Sequence, residues 1–178
     1  MDVTALSNGW IIALWFGVLG LCVGSFVNVV CYRWPIIHRL GSYKDGIKHQ
    51  ELVAQYGRFT LASPRSSCPC CHTPIKAYHN IPVLGWLLLR GKCGSCGSKI
   101  SWTYPATEFA FGIAFAGFVW FEGLWLAGML TLPMMAIGFC IIWIRIQHGL
   151  IAMPFAVAYI VALAAQMLLT GMGYSSYL

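Results

Sequence analysis

Four long apolar runs and one polar stretch divide the chain, and the length of the runs predicts membrane-spanning helices. Residues 10–31 contain no charged side chain, and about 20 apolar residues are enough for a helix to cross the hydrocarbon core of a bilayer. After the polar stretch come three further apolar runs, 104–121, 123–144 and 150–170. The pattern therefore predicts four crossings. Because the second run is short and the turn at Glu122 is tight, a helical hairpin that enters the membrane without crossing it is the alternative there.

These runs predict an all-α polytopic membrane protein with about four transmembrane helices. We divide it into a first transmembrane helix at 1–31, a polar insert at 32–103 and a three-helix membrane region at 104–178. The composition agrees, because 59% of the 178 residues are hydrophobic and only 9% are charged, whereas soluble domains are about 25% charged. An ordinary soluble enzyme is thereby excluded.

The basic residues lie almost entirely in the insert and predict its orientation. The chain has 11 Lys and Arg, and all but Arg145 lie between Arg33 and Lys99. Basic residues close to the ends of spans favour the cytoplasmic side. With the insert in the cytoplasm, four crossings place Arg145 there too and leave Asp2, Glu122 and the C-terminus outside. Topology thus accounts for the net charge of +6; membrane lipid is the expected surrounding, and no nucleic-acid partner is expected.

Small residues on the first helix predict a surface for helix packing. Gly20, Gly24 and Asn28 are spaced four apart and share one face, with Ser25 beside them. Small residues let a second backbone approach closely, and the Asn amide can bond across the contact. The alternative is that these glycines only reflect the general frequency of glycine in membrane helices.

Two cysteine pairs in the insert form the strongest chemical motif of the chain. Both are CxxC pairs separated by 21 residues, and their members are Cys68, Cys71, Cys93 and Cys96. This spacing lies just beyond the range of about 15–20 typical of zinc sites. We expect these four thiolates to bind a structural zinc ion, since four protein ligands leave no open position for catalysis. Disulfides are the alternative, disfavoured by a cytoplasmic location. Cys70 complicates the assignment, and His72 is an alternative ligand in place of one of these cysteines.

An apolar stretch at 83–89 lies between the two cysteine pairs and is too short to cross a membrane. We expect it to lie in the membrane interface or to pack on the helices. Arg90 and Lys92, which follow it, would then face lipid headgroups.

Four motifs occur in the order and spacing of one known family. They are GSFVNVVCYRWP, CPCC, HNIPVLGWLLLRGKCGSC and ISWTYPATEF. In these motifs the chain resembles the N-terminal part of the bacterial type IV prepilin peptidases, inner-membrane enzymes that cleave prepilin leaders and N-methylate the new amino terminus. The resemblance implies a zinc-type cysteine motif, a YPxxE segment at Tyr104, Pro105 and Glu108, and S-adenosylmethionine as cofactor. It also implies a prepilin or pilin-like partner in a type IV pilus or type II secretion system.

The chain departs from this family at the peptidase site. The family's first catalytic motif corresponds to IRIQHGLIAMP, in which Arg145 takes the place of the aspartate, and the second motif has no counterpart in the 178 residues. Glu108 and Glu122 are 14 residues apart, about 21 Å along one helix, so they cannot share a proton as an aspartyl dyad does. We therefore predict that this chain alone does not cleave leaders.

Three functions stay open at this point. The first is a methyltransferase-like remnant that uses S-adenosylmethionine. The second is a non-catalytic pseudopeptidase that holds a pilin or another membrane subunit. The third is one part of a split enzyme, and Arg145 argues against it. For Glu108, a buried ionisable residue that needs a partner, we expect Asn28 or Arg145. The alternative is a carboxylate that reaches the lipid headgroups.

Overall fold

The computed structural model describes residues 3–175. Asp2 and residues 176–178, which we predict to lie on the external side of the membrane, are not among the described residues. Every regular element in the described part is helical. Two short 3₁₀ turns, Gly41–Tyr43 and Ala77–Asn80, lie in the insert. The α-helices are α1 (Val3–Ile37), α2 (Ile47–Tyr56), α3 (Leu84–Leu88), α4 (Thr103–Glu122), α5 (Leu126–Met129), α6 (Thr131–His148) and α7 (Met153–Ser175).

Three of the described helices are long and apolar enough to cross a membrane. They comprise Gly9–Ile37, Thr131–His148 and Met153–Gly171. The fourth predicted span, α4, has 20 residues and is about 30 Å long, which equals the thickness of the hydrocarbon core. Its first turns carry polar residues that lower its hydropathy. The polytopic, all-α class is confirmed, while the crossing of α4 stays a prediction.

Two helices have bounds that differ from those of the apolar runs. The apolar run 123–144 is not one helix, because α5 ends at Met129 and α6 begins at Thr131. Pro133 explains the break, since its nitrogen carries no hydrogen for a bond to the carbonyl of Met129 and its ring tolerates only the first turn of a helix. The first helix also continues beyond the first apolar run and through Pro35, to Ile37.

Helices α1 and α4 pack against each other along the predicted small-residue face. A methyl group added to Gly20 or Gly24 would come within 2.9 Å or 2.8 Å, respectively, of backbone atoms of α4. The side-chain amide of Asn28 donates a hydrogen bond across the same contact to the carbonyl of Tyr104, at 3.2 Å. The predicted packing surface is confirmed. Ser25 instead lines the cavity described below.

Helices α6 and α7 complete a bundle in which long helices that follow one another along the chain run in opposite directions. The sulfur of Cys31 in α1 lies 3.9 Å from that of Cys140 in α6. Near the start of α6, the hydroxyl of Thr131 accepts a hydrogen bond from the Gln166 amide of α7, at 3.1 Å. A buried cluster of α1, α4 and α6 residues fills the centre, and it consists of Val27, Val30, Cys31, Phe111, Phe115, Leu132 and Cys140.

The turn between α6 and α7 lies at the same end of the bundle as the insert. His148 contacts Gly41, and its ring centroid lies 5.6 Å from that of Tyr43. Arg145, in the last turn of α6, is therefore at this end as well. The relative placement agrees with the charge pattern, although the side of the membrane stays a prediction.

Candidate metal centre and adjoining cavity

Each cysteine pair sits in a tight turn of the same design. The amide of Cys68 donates to the carbonyl of Thr73 at 3.0 Å, and the amide of Cys93 donates to that of Ser98 at 2.7 Å. The residue after each second cysteine takes a left-handed conformation, with φ of 55° at His72 and 71° at Gly97. Two loops of like geometry thus present their sulfurs towards each other.

The two turns bring four sulfur atoms into one cluster. These sulfurs all lie within 4.8 Å of one another, with 3.8 Å between Cys68 and Cys96 and 3.9 Å between Cys71 and Cys93. A tetrahedral ion with metal–sulfur bonds of about 2.3 Å needs sulfurs about 3.8 Å apart. The four predicted cysteines therefore have the geometry to hold a metal ion.

Neither of the remaining candidates is a member of the cluster. Cys70 is not a member of it and is exposed, and its amide instead donates to the sulfur of Cys68 at 3.4 Å. The amide of Ser95 makes the equivalent contact to Cys93, at 3.5 Å. The ring of His72 shares a hydrogen bond with the hydroxyl of Tyr56 at 3.4 Å. The spacing thus identified the four clustered sulfurs, and the amide contacts stabilise negative charge on two of them.

One hydroxyl favours the thiolate form of two of these cysteines. The pKa of Cys68 is lowered to about 6, chiefly by the Ser98 hydroxyl at 3.4 Å and then by the amides of Cys71 and Cys70. The same hydroxyl lies 3.2 Å from the sulfur of Cys96 and is the main cause that lowers its pKa as well. Thiolates are the form that binds metal.

Sequence reasoning missed this role of Ser98, although a signal exists. Each pair has a hydroxyl residue two positions after its second cysteine, and these are Thr73 and Ser98. The Thr73 hydroxyl lies 3.3 Å from the sulfur of Cys71. The pattern CxxCx(S/T), repeated in both turns, would have indicated hydroxyl support for sulfur.

A cavity of about 600 Å³ lies between the cysteine turns and the adjoining ends of α1 and α4. This volume falls within the range of about 300–1,000 Å³ for small-molecule sites. Its wall combines aromatic, amide, basic and acidic groups, and it includes Asn28, Tyr32, Arg33, Lys76, Tyr104 and Glu108. The cavity is therefore able to take an organic molecule with polar groups, or a peptide end.

Glu108 is buried at the wall of this cavity with a partner that the sequence did not reveal. Its carboxylate accepts a hydrogen bond from the backbone amide of Val83 at 2.6 Å. The two predicted partners are wrong, because Asn28 bonds to α4 backbone and Arg145 donates to the carbonyl of Gly149. The headgroup alternative is wrong as well, since Glu108 is only 9% exposed. The donor is a backbone amide, which every residue type except proline has, so the sequence could not identify this partner.

Arg33 is a second buried charged residue, at 8% exposure, and it holds the start of the cysteine region. Its two terminal nitrogens donate to the carbonyls of Thr60 and Pro64, both at 2.8 Å. Its guanidinium lies 5.3 Å from the centre of the Phe59 ring. These bonds tie the segment 59–64 to the end of α1, and so they position one wall of the cavity.

The carboxylates of the membrane helices are far apart. Glu108 and Glu122 both belong to α4, so a rise of about 1.5 Å per residue separates them by roughly 21 Å. In the insert, Asp45 accepts a hydrogen bond from the amide of Ile47, and Glu51 forms an ion pair with a lysine one turn away. None of these arrangements resembles two acids that share one proton.

The helical bundle and the paired-cysteine insert define a polytopic membrane protein that carries a candidate metal centre beside a membrane-boundary cavity. The Bacterial Peptidase A24 N-terminal domain family matches residues 18–121. The chain belongs to this family, as its motifs indicated. The match includes the four clustered cysteines and Glu108.

Curated relatives similar to this chain carry the name prepilin leader peptidase/N-methyltransferase. The protein from Dickeya chrysanthemi is 41% identical over 138 residues, which cover 73% of this chain and 48% of the relative. The one from Neisseria gonorrhoeae is 45% identical, over 60% of this chain and 38% of the relative. The one from Legionella pneumophila is 33% identical, over 85% and 53%. The chain thus spans about half the length of these relatives or less. No solved structure matches it.

Proposed function

We propose that this chain is a prepilin-peptidase-like protein of the bacterial inner membrane that binds a prepilin or pilin-like protein without cleaving its leader. The observation that carries the proposal is the cavity at the junction of α1, α4 and the cysteine turns. It opens where two helices meet the polar insert, which is where a substrate anchored in the membrane by an apolar segment would present its polar end. The relatives named as prepilin leader peptidases suggest the kind of partner.

Arg145 supports the non-cleaving part of the proposal. By resemblance it takes the place of the first catalytic aspartate, and its guanidinium is bound to the carbonyl of Gly149 at the end of α6. A guanidinium stays protonated in proteins, so it cannot accept a proton from water. These 178 residues are therefore expected to hold a leader and not to hydrolyse it, as a pseudopeptidase or a partner subunit of a membrane complex would.

Zinc is the metal that suits the cluster, and its role would be structural. Cys68, Cys71, Cys93 and Cys96 would hold the ion, because four thiolates in tetrahedral array favour zinc and leave no position for water. Binding would supply folding free energy to an insert in which few described apolar side chains are buried, Phe59 and Cys68 being two of them. The turns form one wall of the cavity, so the metal would keep that wall in place.

The orientation in the proposal follows the basic residues. The insert and the last turn of α6 lie at one end of the bundle, and together they contain all 11 Lys and Arg. The positive-inside rule places this end in the cytoplasm and the N-terminus outside.

Methyl transfer is the second candidate function. One acidic and aromatic part of the cavity wall favours it, although four basic side chains, Arg33, Lys48, Lys76 and Lys99, line the cavity as well. Glu108, Tyr32 and Tyr104 line the same space. A carboxylate and aromatic rings together attract a cation, and both a sulfonium group and a peptide amino terminus carry positive charge. S-adenosylmethionine and a processed pilin would then be the two substrates.

One experiment separates these functions. The full chain, purified in lipid nanodiscs, is incubated with a tagged prepilin or with the leaderless pilin, each with methyl-labelled S-adenosylmethionine. Retention of an unaltered prepilin supports binding without cleavage. Transfer of label to the pilin amino terminus supports the second candidate, and removal of the leader contradicts the first.

A matched pair of variants tests the cavity itself. Tyr104 lines it and is 45% exposed, whereas Tyr78 does not line it and is 52% exposed. Tyr104→Ala should weaken retention of the prepilin several-fold, and Tyr78→Ala should not. Equal retention by both variants would show that the cavity is not the binding site.

A further inference from the structure

We propose that α3 is a membrane wedge: Leu84, Leu87 and Leu88 insert into the boundary between lipid headgroups and acyl chains, and the adjacent Arg90 and Lys92 bind anionic headgroups. This role is distinct from pilin binding. It would fix the height of the cysteine turns above the membrane.

The three leucines form one exposed apolar face on a short helix. They occupy positions i, i+3 and i+4, which lie side by side on a helix surface, and they are 56%, 55% and 66% exposed. The residues between them face the insert. Gly85 packs against the backbone of His79, and the indole nitrogen of Trp86 donates to the carbonyl of Ile100 at 3.1 Å. The helix is thus held by one side while its leucines point away.

Two contacts place α3 beside the start of α4, where α4 is predicted to enter the membrane. The amide of Val83, which precedes α3, is bound by Glu108, and Glu108 lies five residues after the start of α4, about 8 Å along its axis. The Trp86 bond reaches Ile100, just before α4. Trp102 and Tyr104 near this start are exposed, and such aromatic residues mark the membrane–water interface. The leucines therefore lie beside the predicted membrane boundary.

Charge identifies the occupant of this face as lipid. Arg90 and Lys92 follow the helix directly, and both are exposed. Clustered basic residues at a membrane surface attract anionic headgroups, while exposed leucines next to them suit the acyl chains below. An apolar surface of this kind marks a membrane or protein contact, and its attachment to the end of a membrane helix favours the membrane.

Photo-crosslinking in the full chain tests the proposal directly. The photoreactive residue p-benzoylphenylalanine replaces Leu87 or Leu88, and the protein is irradiated in nanodiscs of phosphatidylglycerol and phosphatidylcholine. Mass spectrometry then counts lipid adducts. Ile160, 64% exposed in the apolar helix α7, is the positive control, and Ile47, 56% exposed at the start of the polar helix α2, is the negative one.

We expect lipid adducts at Leu87 and Leu88 to exceed those at Ile47 several-fold and to approach those at Ile160. An excess of phosphatidylglycerol adducts should disappear in the Arg90→Gln, Lys92→Gln variant, which leaves the leucines in place. Adduct levels no higher than at Ile47 would overturn the insertion. Adducts to protein in native membranes, in place of lipid, would make this face a protein contact and would overturn it as well.

Discussion

The contact between α1 and α4 yields a graded prediction for glycine-to-alanine changes. A methyl group on Gly20 would meet the carbonyl group of Phe111, and one on Gly24 would lie 2.8 Å from the Cα of Glu108. Both neighbours are backbone, so the two helices must separate. At Gly17 the added methyl would lie 3.3 Å from the side chain of Ala116, and a shift of a few tenths of an ångström is enough.

The size of the effect follows from the contact at each position. Overpacking of a well-packed interface costs about 1–3 kcal/mol. Gly20→Ala and Gly24→Ala should lower the free energy of unfolding by that amount, and Gly17→Ala should lower it less. At Gly117 and Gly9 the added methyl meets nothing within 4 Å. At these two positions the change to alanine removes backbone freedom from the unfolded chain, so it should raise the free energy of unfolding by about 0.5–1 kcal/mol.

Thermal unfolding of the purified variants in nanodiscs measures this series. One kcal/mol corresponds to roughly 2–4 °C for a chain of this size, so Gly20→Ala and Gly24→Ala should lower Tm by roughly 2–12 °C, while Gly117→Ala and Gly9→Ala should leave it unchanged or raised. If Gly20→Ala and Gly24→Ala unfold at the same temperature as Gly117→Ala, the helices do not approach by their backbones and the packing argument is refuted.

Three further predictions concern the insert and its contacts with the helices. Cys68→Ser should reduce bound zinc, measured by mass spectrometry of the purified chain, from about one ion per chain to far below one, whereas the neighbouring Cys70→Ser should leave it unchanged; equal loss in both would contradict the assignment. Glu108→Leu should destabilise the protein by about 1–3 kcal/mol, because it leaves the half-buried amide of Val83 without its acceptor, and it should speed hydrogen exchange at Val83. Glu108→Gln keeps an acceptor and should destabilise the protein less. Arg33→Lys cannot bridge two carbonyls with a planar fork, so limited proteolysis between residues 59 and 64 should become faster, and an unchanged rate would show that these bonds do not hold the segment.

Local patterns predicted the parts of the structure that depend on residue type and spacing. Gly20, Gly24 and Asn28 were recognisable because a helix places residues four apart on one face. The cysteine cluster was recognisable because CxxC turns present sulfur in a fixed way. Both inferences need only local spacing along the chain. The structure confirms the packing face and brings the four sulfurs together, while metal binding stays a prediction.

The partners of the buried charges could not be predicted in the same way. Glu108 bonds to the amide of Val83, and Arg33 bonds to carbonyls near Thr60. Backbone groups occur at every position, so the sequence does not distinguish the one that a charge will meet. The hydrophobic pattern likewise did not predict the break before α6. The break depends on the missing N–H of Pro133, and the hydrophobicity of a residue contains no information about its backbone hydrogen bonds.

Arg145, which by resemblance stands where the family has an aspartate, also affects the stability of its helix end. Arg145 lies in the last turn of α6, where carbonyls without helical partners and the negative end of the helix dipole favour a cation by about 0.3–1 kcal/mol. Its guanidinium donates to the carbonyl of Gly149, and the amide of Gly149, with φ of 71°, donates back to the carbonyl of Arg145. An aspartate here would face the same carbonyls with a like charge and would destabilise the helix end. A residue that serves hydrolysis in the family would therefore carry a cost in stability, whereas arginine stabilises the turn that faces the insert.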